Sequence, residues 1–541
     1  MYKTIVLLAL SLGLHLNAQE FTRQDSLRGS ITQERMWWDV LRYDLDIEVD
    51  IDNKYIQGKN IMSYKVLDDA VRRMQIDLQI PMQIDSVLQN GTELKISREG
   101  NVYWIDFPNK PMLNSENAIE IYFQGHPKEA VRAPWDGGFS WKKDDLNLPF
   151  VATSCQGLGA SVWWPNKDHM YDEAESLSIS VTVPEGLINV SNGRLNNVEY
   201  FDGKAKYAYE VKNPINNYGV NINIGNYTSY QEVYQGENGP LDISYHVLKQ
   251  DLEKAKQQFK QVPMMLEAFE YWFGPYPFYE DSFKLVQVPY LGMEHQSSVT
   301  YGNQFQNGYL GRDLSGTGWG LEFDFIIVHE AGHEWFANNI TYKDAADMWL
   351  HESFTAYSES LYLDYHFGKK AAQEYVRGTR RYIENKGPII GWYDVNQPSK
   401  GNDKYYKGSN VIHTLRQWID DDKKFRMLLR GLNKEFYHST VTTSEIEDYI
   451  AEFTKLPLEV FFNQYLRQSN VPTLEYKLEG NELHFRYADD CLDGFKMPLK
   501  IYVAEQTQWI FPEKSWKSIT LTQANDLEFD PNFYINTVQL N

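Results

Sequence analysis

Residues 329–333 (HEAGH), followed after eighteen further residues by Glu352, constrain the fold of this chain more than any other feature. Two histidines four positions apart lie on one face of a helix, one turn above the other, so both rings can reach one ion. Two imidazoles and a carboxylate suit Zn²⁺, and a catalytic zinc site has three protein ligands and one position left for water. The sequence therefore predicts His329, His333 and Glu352 as the ligands of one Zn²⁺ per chain.

Glu330 follows the first of these histidines, so it would lie beside the metal water and could act as its general base. The alternative is a pair of core histidines without an ion. The apolar run 325–328 has no Pro or Gly, as expected of a buried helix, and the run 335–337 is predicted to continue it. Glu352 falls within a second helix-like stretch, 348–357. This context favours the metal site.

The composition is that of a multidomain globular protein. A length of 541 residues exceeds what one hydrophobic core usually supports, and 42% of the residues are hydrophobic. The net charge of −22 argues against nucleic acid as a partner. An acidic balance could also favour a cationic substrate end, although a solvated acidic surface is its more common meaning.

Residues 1–18 have the pattern of a signal peptide: Lys3, an apolar run over 5–16, and a plausible cleavage site, Leu16-Asn17-Ala18, before Gln19. We therefore expect an exported protein, periplasmic or secreted. No other run approaches the ~20 apolar residues of a membrane span. The only cysteines are Cys155 and Cys491, which excludes a lipid anchor at the cleavage point. They could form a disulfide or remain free.

Hydrophobic periodicity divides the mature chain into three parts. Residues 19–247 are predicted as a β domain, with strand-like alternation from about residue 37 that is clearest over 43–51 and 177–183. Residues 248–468 have mainly helical spacing, with a capping box predicted at Ser444 and Glu447. Alternation returns over 469–541 and predicts a small β-sandwich. The predicted fold class is multidomain α+β.

A second segment, residues 291–295 (LGMEH), follows an apolar strand-like run. Gly292 could mark the place where an edge strand pairs with an extended peptide, and Glu294 could bind a substrate ammonium. Taken alone, the segment is weak evidence, and a solvated edge strand is the better interpretation.

With both segments in hand, the chain resembles the zinc aminopeptidases of the aminopeptidase N and leukotriene hydrolase family, which are gluzincins. Its residues match H-E-x-x-H with Glu after eighteen residues, and match G-[AG]-M-E-N at Gly292, Met293 and Glu294. Leu291 and His295 depart from the second pattern. The resemblance implies that Glu294 binds the α-amine of the substrate, and that Gly292 and Met293 also contact the substrate.

Two shorter matches extend this resemblance. Residues 405–408 (YYKG) are similar to the Y-E-K-G segment of the family, which implies that Tyr405 stabilises the oxyanion. A slip of one residue would give that role to Tyr406. Cys155-Gln156 resembles a Cys-Gln or Cys-Glu pair, which implies that Gln156 lies beside the substrate amine.

The family architecture implied is an N-terminal β saddle, a thermolysin-like catalytic domain and a C-terminal β-sandwich, without the long helical C-terminal domain of many members. The implied activity is hydrolysis of the first peptide bond of peptides with a free N-terminus. Three alternatives stay open: an endopeptidase, an epoxide hydrolase, and an inactive peptide-binding homologue. An endopeptidase would cleave N-acetylated peptides equally well, and an inactive homologue would be expected to lack a ligand or the base.

Overall fold

The computed structural model describes residues 21–504 and 506–541. The predicted signal peptide, residues 1–18, lies outside the described residues. Within the described part, the helices are too short or too polar to cross a membrane.

The N-terminal region consists mainly of strands in three sheets of eight, four and three strands. Its elements are α1 Arg23–Gly29, α2 Gln33–Met36, β1 Trp38–Asp50, β2 Tyr55–Val66, β3 Arg73–Asp77, β4 Gln83–Gln89, β5 Thr92–Glu93, β6 Lys95–Glu99, β7 Val102–Asp106, β8 Glu116–Gly125, β9 Gly138–Lys143, β10 Pro149–Ser154, β11 Ser176–Pro184, β12 Ile188–Val190, β13 Arg194–Phe201, β14 Lys204–Val211 and β15 Asn223–Gly225.

The predicted alternation is confirmed in the eight-stranded sheet, whose order is β13-β14-β11-β1-β2-β8-β4-β5. The apolar positions of β1 from Tyr43 to Val49 are buried, while residues between them are partly exposed. β1 pairs in parallel with β11, where Leu45 lies opposite Ile179. The strand ends at Asp50, so Ile51 lies beyond it.

The middle region is mainly helical and contains the predicted metal site. Its elements are β16 Tyr227–Gly236, β17 Gly239–Leu248, α3 Leu252–Gln258, α4 Gln261–Phe273, β18 Phe283–Gln287, β19 Gly292–Met293, β20 Val299–Tyr301, α5 Phe325–Gly332, β21 Ile340–Tyr342, α6 Trp349–Phe367, α7 Lys369–Gly378, α8 Asp403–Ile419, α9 Asp422–Glu435, β22 Ser439–Val441, α10 Thr443–Thr454 and α11 Glu459–Leu466. A five-stranded sheet with the order β16-β17-β18-β20-β19 joins strands on both sides of residue 248.

The helix predicted to run through residues 335–337 ends earlier. α5 stops at Gly332, and Glu334–Asn339 forms a π-helical segment in which Phe336 and Ala337 leave helical geometry. The Phe336 carbonyl oxygen lies 3.0 Å from Nδ1 of His333. The Ala337 carbonyl accepts a 2.6 Å hydrogen bond from the Thr341 hydroxyl. These bonds replace the regular helical ladder, and the prediction was wrong here.

The predicted capping box is also displaced by two residues. Thr442 and Glu445 form the reciprocal bonds at the start of α10, because the chain repeats the Ser/Thr-x-x-Glu spacing at both registers. Glu447 instead forms an ion pair with Arg467 at 2.6 Å.

The C-terminal region forms two sheets, of four and three strands, so the predicted order of the three regions is confirmed. Its strands are β23 Thr473–Glu479, β24 Glu482–Tyr487, β25 Leu499–Val503, β26 Gln506–Ile510, β27 Lys517–Thr520, β28 Leu527–Phe529 and β29 Asn536–Gln539. One apolar core runs from Leu241 to Tyr534, so the two C-terminal sheets share a core with the helices. A second core fills the N-terminal region and includes Met293 of β19. Cys155 and Cys491 are buried free thiols.

Candidate metal and substrate site

Helix α5 carries His329 and is fixed at its start by Asp324. The Asp324 carboxylate accepts hydrogen bonds from the N–H groups of Ile326 and Ile327, which have no partner within the helix. The same carboxylate accepts a 2.7 Å bond from the Tyr301 hydroxyl of β20. The helix is thereby tied to the sheet beside which its histidines lie.

The structure brings the three predicted ligands together. Oε2 of Glu352 lies 3.8 Å from Nε2 of His329 and 3.4 Å from Nε2 of His333. This oxygen is buried and has no hydrogen-bond partner, whereas Oε1 accepts bonds from Tyr405 (2.9 Å) and Gln156 (3.0 Å). A buried acceptor that faces two ring nitrogens is stabilised by a proton or a metal ion placed between them, and this donor set is one that Zn²⁺ prefers. The residues therefore fit a zinc ion.

A set of outer hydrogen bonds orients the two histidines. Nδ1 of His329 lies 2.8 Å from a Glu359 oxygen, and the other Glu359 oxygen accepts a 2.6 Å bond from Tyr375. Nδ1 of His333 lies 3.0 Å from the Thr355 hydroxyl. Such partners fix ring orientation and raise the basicity of the ligand. The sequence analysis did not find Glu359, although it follows Glu352 by seven residues and so lies two turns along the same face of α6.

Electrostatics favours an anionic Glu352. Burial would raise the pKa of Glu352, but the two imidazoles hold that pKa well below its usual range. Burial lowers the pKa of His329, yet Glu352 and Glu359 outweigh burial and raise the pKa well above its usual value. The trio thus attracts positive charge, whether a proton or a metal ion.

Glu330 lies within this cluster without being part of the trio. Burial raises the pKa of its carboxyl to about 7, against the influence of His329. Carboxylate oxygens of Glu294 and Glu330 and a ring nitrogen of His333 lie within 4.8 Å of one another. A Cβ at Gly292 would meet Cγ2 of Ile326 at 2.6 Å, so this close approach requires glycine.

Glu294 is 2% exposed and lies beside the metal trio. Its Oε1 accepts a 2.7 Å hydrogen bond from the Gln156 amide, and its main-chain carbonyl accepts one from Asn338 at 2.9 Å. Burial raises the pKa of Glu294, and His333 opposes this effect. The structure thus places Gln156 and Glu294 together, as the sequence resemblance implied.

The two adjacent tyrosines are distinguished by their contacts. The Tyr405 hydroxyl donates to Glu352, whereas the Tyr406 ring packs on Tyr382 at 5.1 Å between centroids. Burial, followed by the charge of Glu352, raises the pKa of Tyr405 well above its usual value, which keeps it a donor. Tyr405 therefore has the position expected of an oxyanion donor.

The departures from the family pattern lie at both ends of β19. His295 is fully buried, with Nδ1 3.3 Å from the Thr300 hydroxyl. Leu291 lines the cavity above the metal trio, which has a volume of about 500 Å³. That cavity is also lined by the predicted site residues Gln156, Gly292, Met293, Glu294, His329, Glu330, His333, Glu352 and Tyr405. All of the predicted site residues are therefore adjacent to one space.

A buried pair of histidines and a glutamate on two packed helices, with a further glutamate after the first histidine, defines a zinc site of the gluzincin class. Residues 257–465 match the peptidase family M1 domain. This segment is therefore similar to the M1 gluzincins of the aminopeptidase N type, and the trio His329, His333 and Glu352 fits the zinc cofactor of such a domain.

Relatives and solved structures agree with this assignment. The chain is 23% identical over 400 residues to Aminopeptidase M1-B of Oryza sativa subsp. japonica, covering 71% of this chain and 44% of that protein. It is 20% identical over 433 residues to Probable aminopeptidase 2 of Sulfurisphaera tokodaii, covering 75% and 52%. The chain thus spans about half the length of these curated relatives.

The fold resembles a variant of the M1 zinc metallopeptidase of Deinococcus radiodurans, solved with a Tyr-Ser-Ala substrate. The TM-score is 0.68 at 17% sequence identity, over 82% of this chain and 98% of that chain. At this identity, the likeness concerns the fold.

Proposed function

We propose that this protein is a zinc-dependent aminopeptidase that removes the first residue of peptides with a free N-terminus. One observation carries the proposal: Glu294, Glu330 and His333 present ligand atoms within 4.8 Å of one another. One residue of extended chain spans about 3.3–3.6 Å. An ammonium bound at Glu294 therefore brings the carbonyl of its own residue, and not of a later one, next to Glu330. The names of the relatives support the same activity.

The amine is recognised by charge and by burial. Glu294 is buried with a neutral amide as its side-chain partner, so its negative charge lacks a full counter-charge in the free protein. A substrate ammonium supplies that charge. An internal residue of a peptide has no ammonium and would leave the carboxylate desolvated and unpaired, which disfavours endopeptidase activity.

The ligands His329, His333 and Glu352 would hold Zn²⁺, which supplies Lewis-acid chemistry toward the scissile carbonyl and a water molecule. Glu330 takes a proton from the attacking water and later delivers it to the leaving amine. A base with a pKa near neutrality can perform both transfers. The Tyr405 hydroxyl donates to the oxyanion after giving up its bond to Glu352.

The experiment compares Glu294→Gln with the wild type on aminoacyl-coumarins and on their N-acetylated forms, with and without a chelator. Losing one partner of a buried charged pair costs about 2–5 kcal/mol, so kcat/KM on free-amine substrates should fall about 30-fold or more. Glu253→Gln is the matched control, because Glu253 is on the surface. Equal loss on free and acetylated substrates would remove the role of Glu294. Wild-type activity that resists chelation would overturn the zinc mechanism.

We also propose that the protein acts outside the cytoplasm. Export is supported by the pattern of residues 1–18, in which Lys3 precedes an apolar run and a plausible cleavage site stands before Gln19. Mass spectrometry of the N-terminus after expression in a host that exports it should give Gln19 as the first residue. An intact Met1 in the cell-associated protein would contradict export. The domain boundaries at 247/248 and 468/469 stay predictions.

A further inference from the structure

A second cavity, of about 410 Å³, adjoins the cavity of the metal trio. Trp135 and Leu291 line both spaces, and Tyr290, Phe305 and Leu310 line the second. Within residues 21–504 and 506–541, no charged side chain lines this second cavity. The metal, base and amine anchor all lie in the first cavity, so the second has no part in the mechanism above.

The two tyrosine hydroxyls beside the second cavity are already hydrogen-bonded to other parts of the protein. The Tyr290 hydroxyl donates to the Thr153 carbonyl at 2.7 Å, and the Tyr301 hydroxyl donates to Asp324 at 2.7 Å. What these two residues present to the cavity is therefore their rings. A ligand in this space meets mainly aromatic and aliphatic carbon, with the uncharged side chains of Gln287 and Gln304 as the remaining polar groups.

Strand β19 runs between the two cavities and has an open edge along which a peptide could lie. It is the outer strand of its sheet, paired antiparallel to β20 with Gly292 opposite Tyr301. The Leu291 carbonyl accepts a 2.7 Å bond from the Gly302 N–H, so the alternation of an antiparallel ladder turns the N–H and C=O of Gly292 to the open edge. An extended peptide can add to that edge.

The order of residues along β19 fixes how such a peptide would run. Its ammonium is at Glu294, and its first carbonyl is near Gly292 and Glu330. The following residues then pass Leu291 and reach the segment 288–290, which lines the second cavity. At about 3.3 Å per residue, the distance is covered by the third and fourth residues of the peptide.

Trp135 stands at the boundary of the two cavities on a braced loop. The Asp136 carboxylate accepts bonds from the N–H groups of Val131 and Arg132 at 2.7 and 2.9 Å. The indole is nevertheless 65% exposed, and Leu310 is 38% exposed. A large apolar surface held rigidly in the open is a feature of binding sites.

We propose that the second cavity binds the third and fourth residues of the substrate peptide and selects uncharged apolar or aromatic side chains there. This inference rests on the proposed aminopeptidase function, because the direction of the peptide depends on an ammonium at Glu294. The substrate class is then peptides of at least four residues with an apolar residue after the second position.

The experiment measures kcat/KM for Leu-Ala-X-Ala amides in which X is Phe, Ala, Glu or Lys. The wild type should prefer Phe over Glu about tenfold, mainly through KM, as expected for partial burial of an aromatic ring. Leu310→Lys should reverse the order of Phe and Glu, because it places a positive charge in the cavity. Trp135→Ala removes an aromatic ring that lines the cavity from a loop, so it should reduce the preference for Phe below about threefold.

Controls separate the outcomes. Trp516→Ala removes a tryptophan that is 41% exposed and lines neither cavity, so it should behave as the wild type. Leucyl-coumarin has no third residue and reports the proposed function alone. No hydrolysis of leucyl-coumarin would contradict the function itself. Hydrolysis with equal kcat/KM for all four amides, or with the Phe preference intact in Trp135→Ala and Leu310→Lys, would overturn the second-cavity proposal and leave the function standing.

Discussion

The two ends of the catalytic cavity are built from different parts of the chain. The metal end, formed by His329, His333 and Glu352, takes its supports from within the same helices and their neighbours: Thr355, Glu359 and Tyr375. The amine end, formed by Glu294 and Gln156, joins residues that are 138 positions apart. Gln156 belongs to the N-terminal region, and Glu294 follows an outer strand of the middle region.

The two ends therefore depend on different levels of structure. The metal end needs α5 and α6 to pack together. The amine end needs the N-terminal β region to be docked on the middle region, because Gln156 arrives only through that contact. Most mutations should therefore affect either metal binding or amine recognition alone. Gln156 contacts both Glu294 and Glu352, so a mutation of Gln156 should affect both.

The largest expected effect comes from the residue between the two ends. Glu330→Gln keeps the shape of the side chain but removes the base, so kcat should fall about 10²–10⁴-fold. Zinc content, measured by elemental analysis of the dialysed protein, should stay at one per chain. Loss of zinc along with activity would place Glu330 in the metal end instead of between the ends.

A smaller effect is expected from the outer support of the metal end. Glu359→Gln replaces the carboxylate beside His329 with an amide and should weaken zinc affinity about 10–100-fold. Competition with a fluorescent chelator measures this change without reference to turnover. The preference for free over acetylated amines in the zinc-saturated variant should be unchanged. A changed preference would show that the two ends are coupled through α6.

The smallest effect is expected at Gln156, which contacts both the amine end and the metal end. Gln156→Ala removes hydrogen bonds to two carboxylates and should lower kcat/KM on free-amine substrates about tenfold. Zinc affinity should also fall, by less than in Glu359→Gln, because the Tyr405 bond to Glu352 remains. If zinc affinity is unaffected, Gln156 belongs to the amine end alone.

The same contrast explains what could be predicted from the sequence. The metal end could be predicted from sequence spacing. His329 and His333 are one helical turn apart, and Glu352 lies on the next predicted helix, so the packing of two helices brings the three side chains together. Glu359 could have been found by the same reasoning, two turns after Glu352. The alternating strands were also readable, because β1 and β11 bury one face each.

The amine end could not be derived in this way. No local periodicity relates Gln156 to Glu294, so their contact was foreseen only from the family resemblance. The irregular segment after His333 was missed because it contains neither Gly nor Pro. The side chains of His333 and Thr341 bond to the carbonyls of Phe336 and Ala337 in place of the regular helical bonds. The second cavity was not visible either, since its lining comes from separate loops and from the ends of two strands, β18 and β20.

The short outer strand Gly292–Met293 bears on which polypeptide chains can reach the catalytic cavity. An exposed strand edge normally invites pairing with any neighbouring chain, and native proteins protect such edges. Here the edge is two residues long, its residues are buried, and the exposed indole of Trp135 lies at the cavity above it. A loose chain end fits such a recess more easily than a folded domain does. Under the proposed function, the recessed edge would favour peptides and the frayed ends of unfolded chains as substrates over intact folded neighbours.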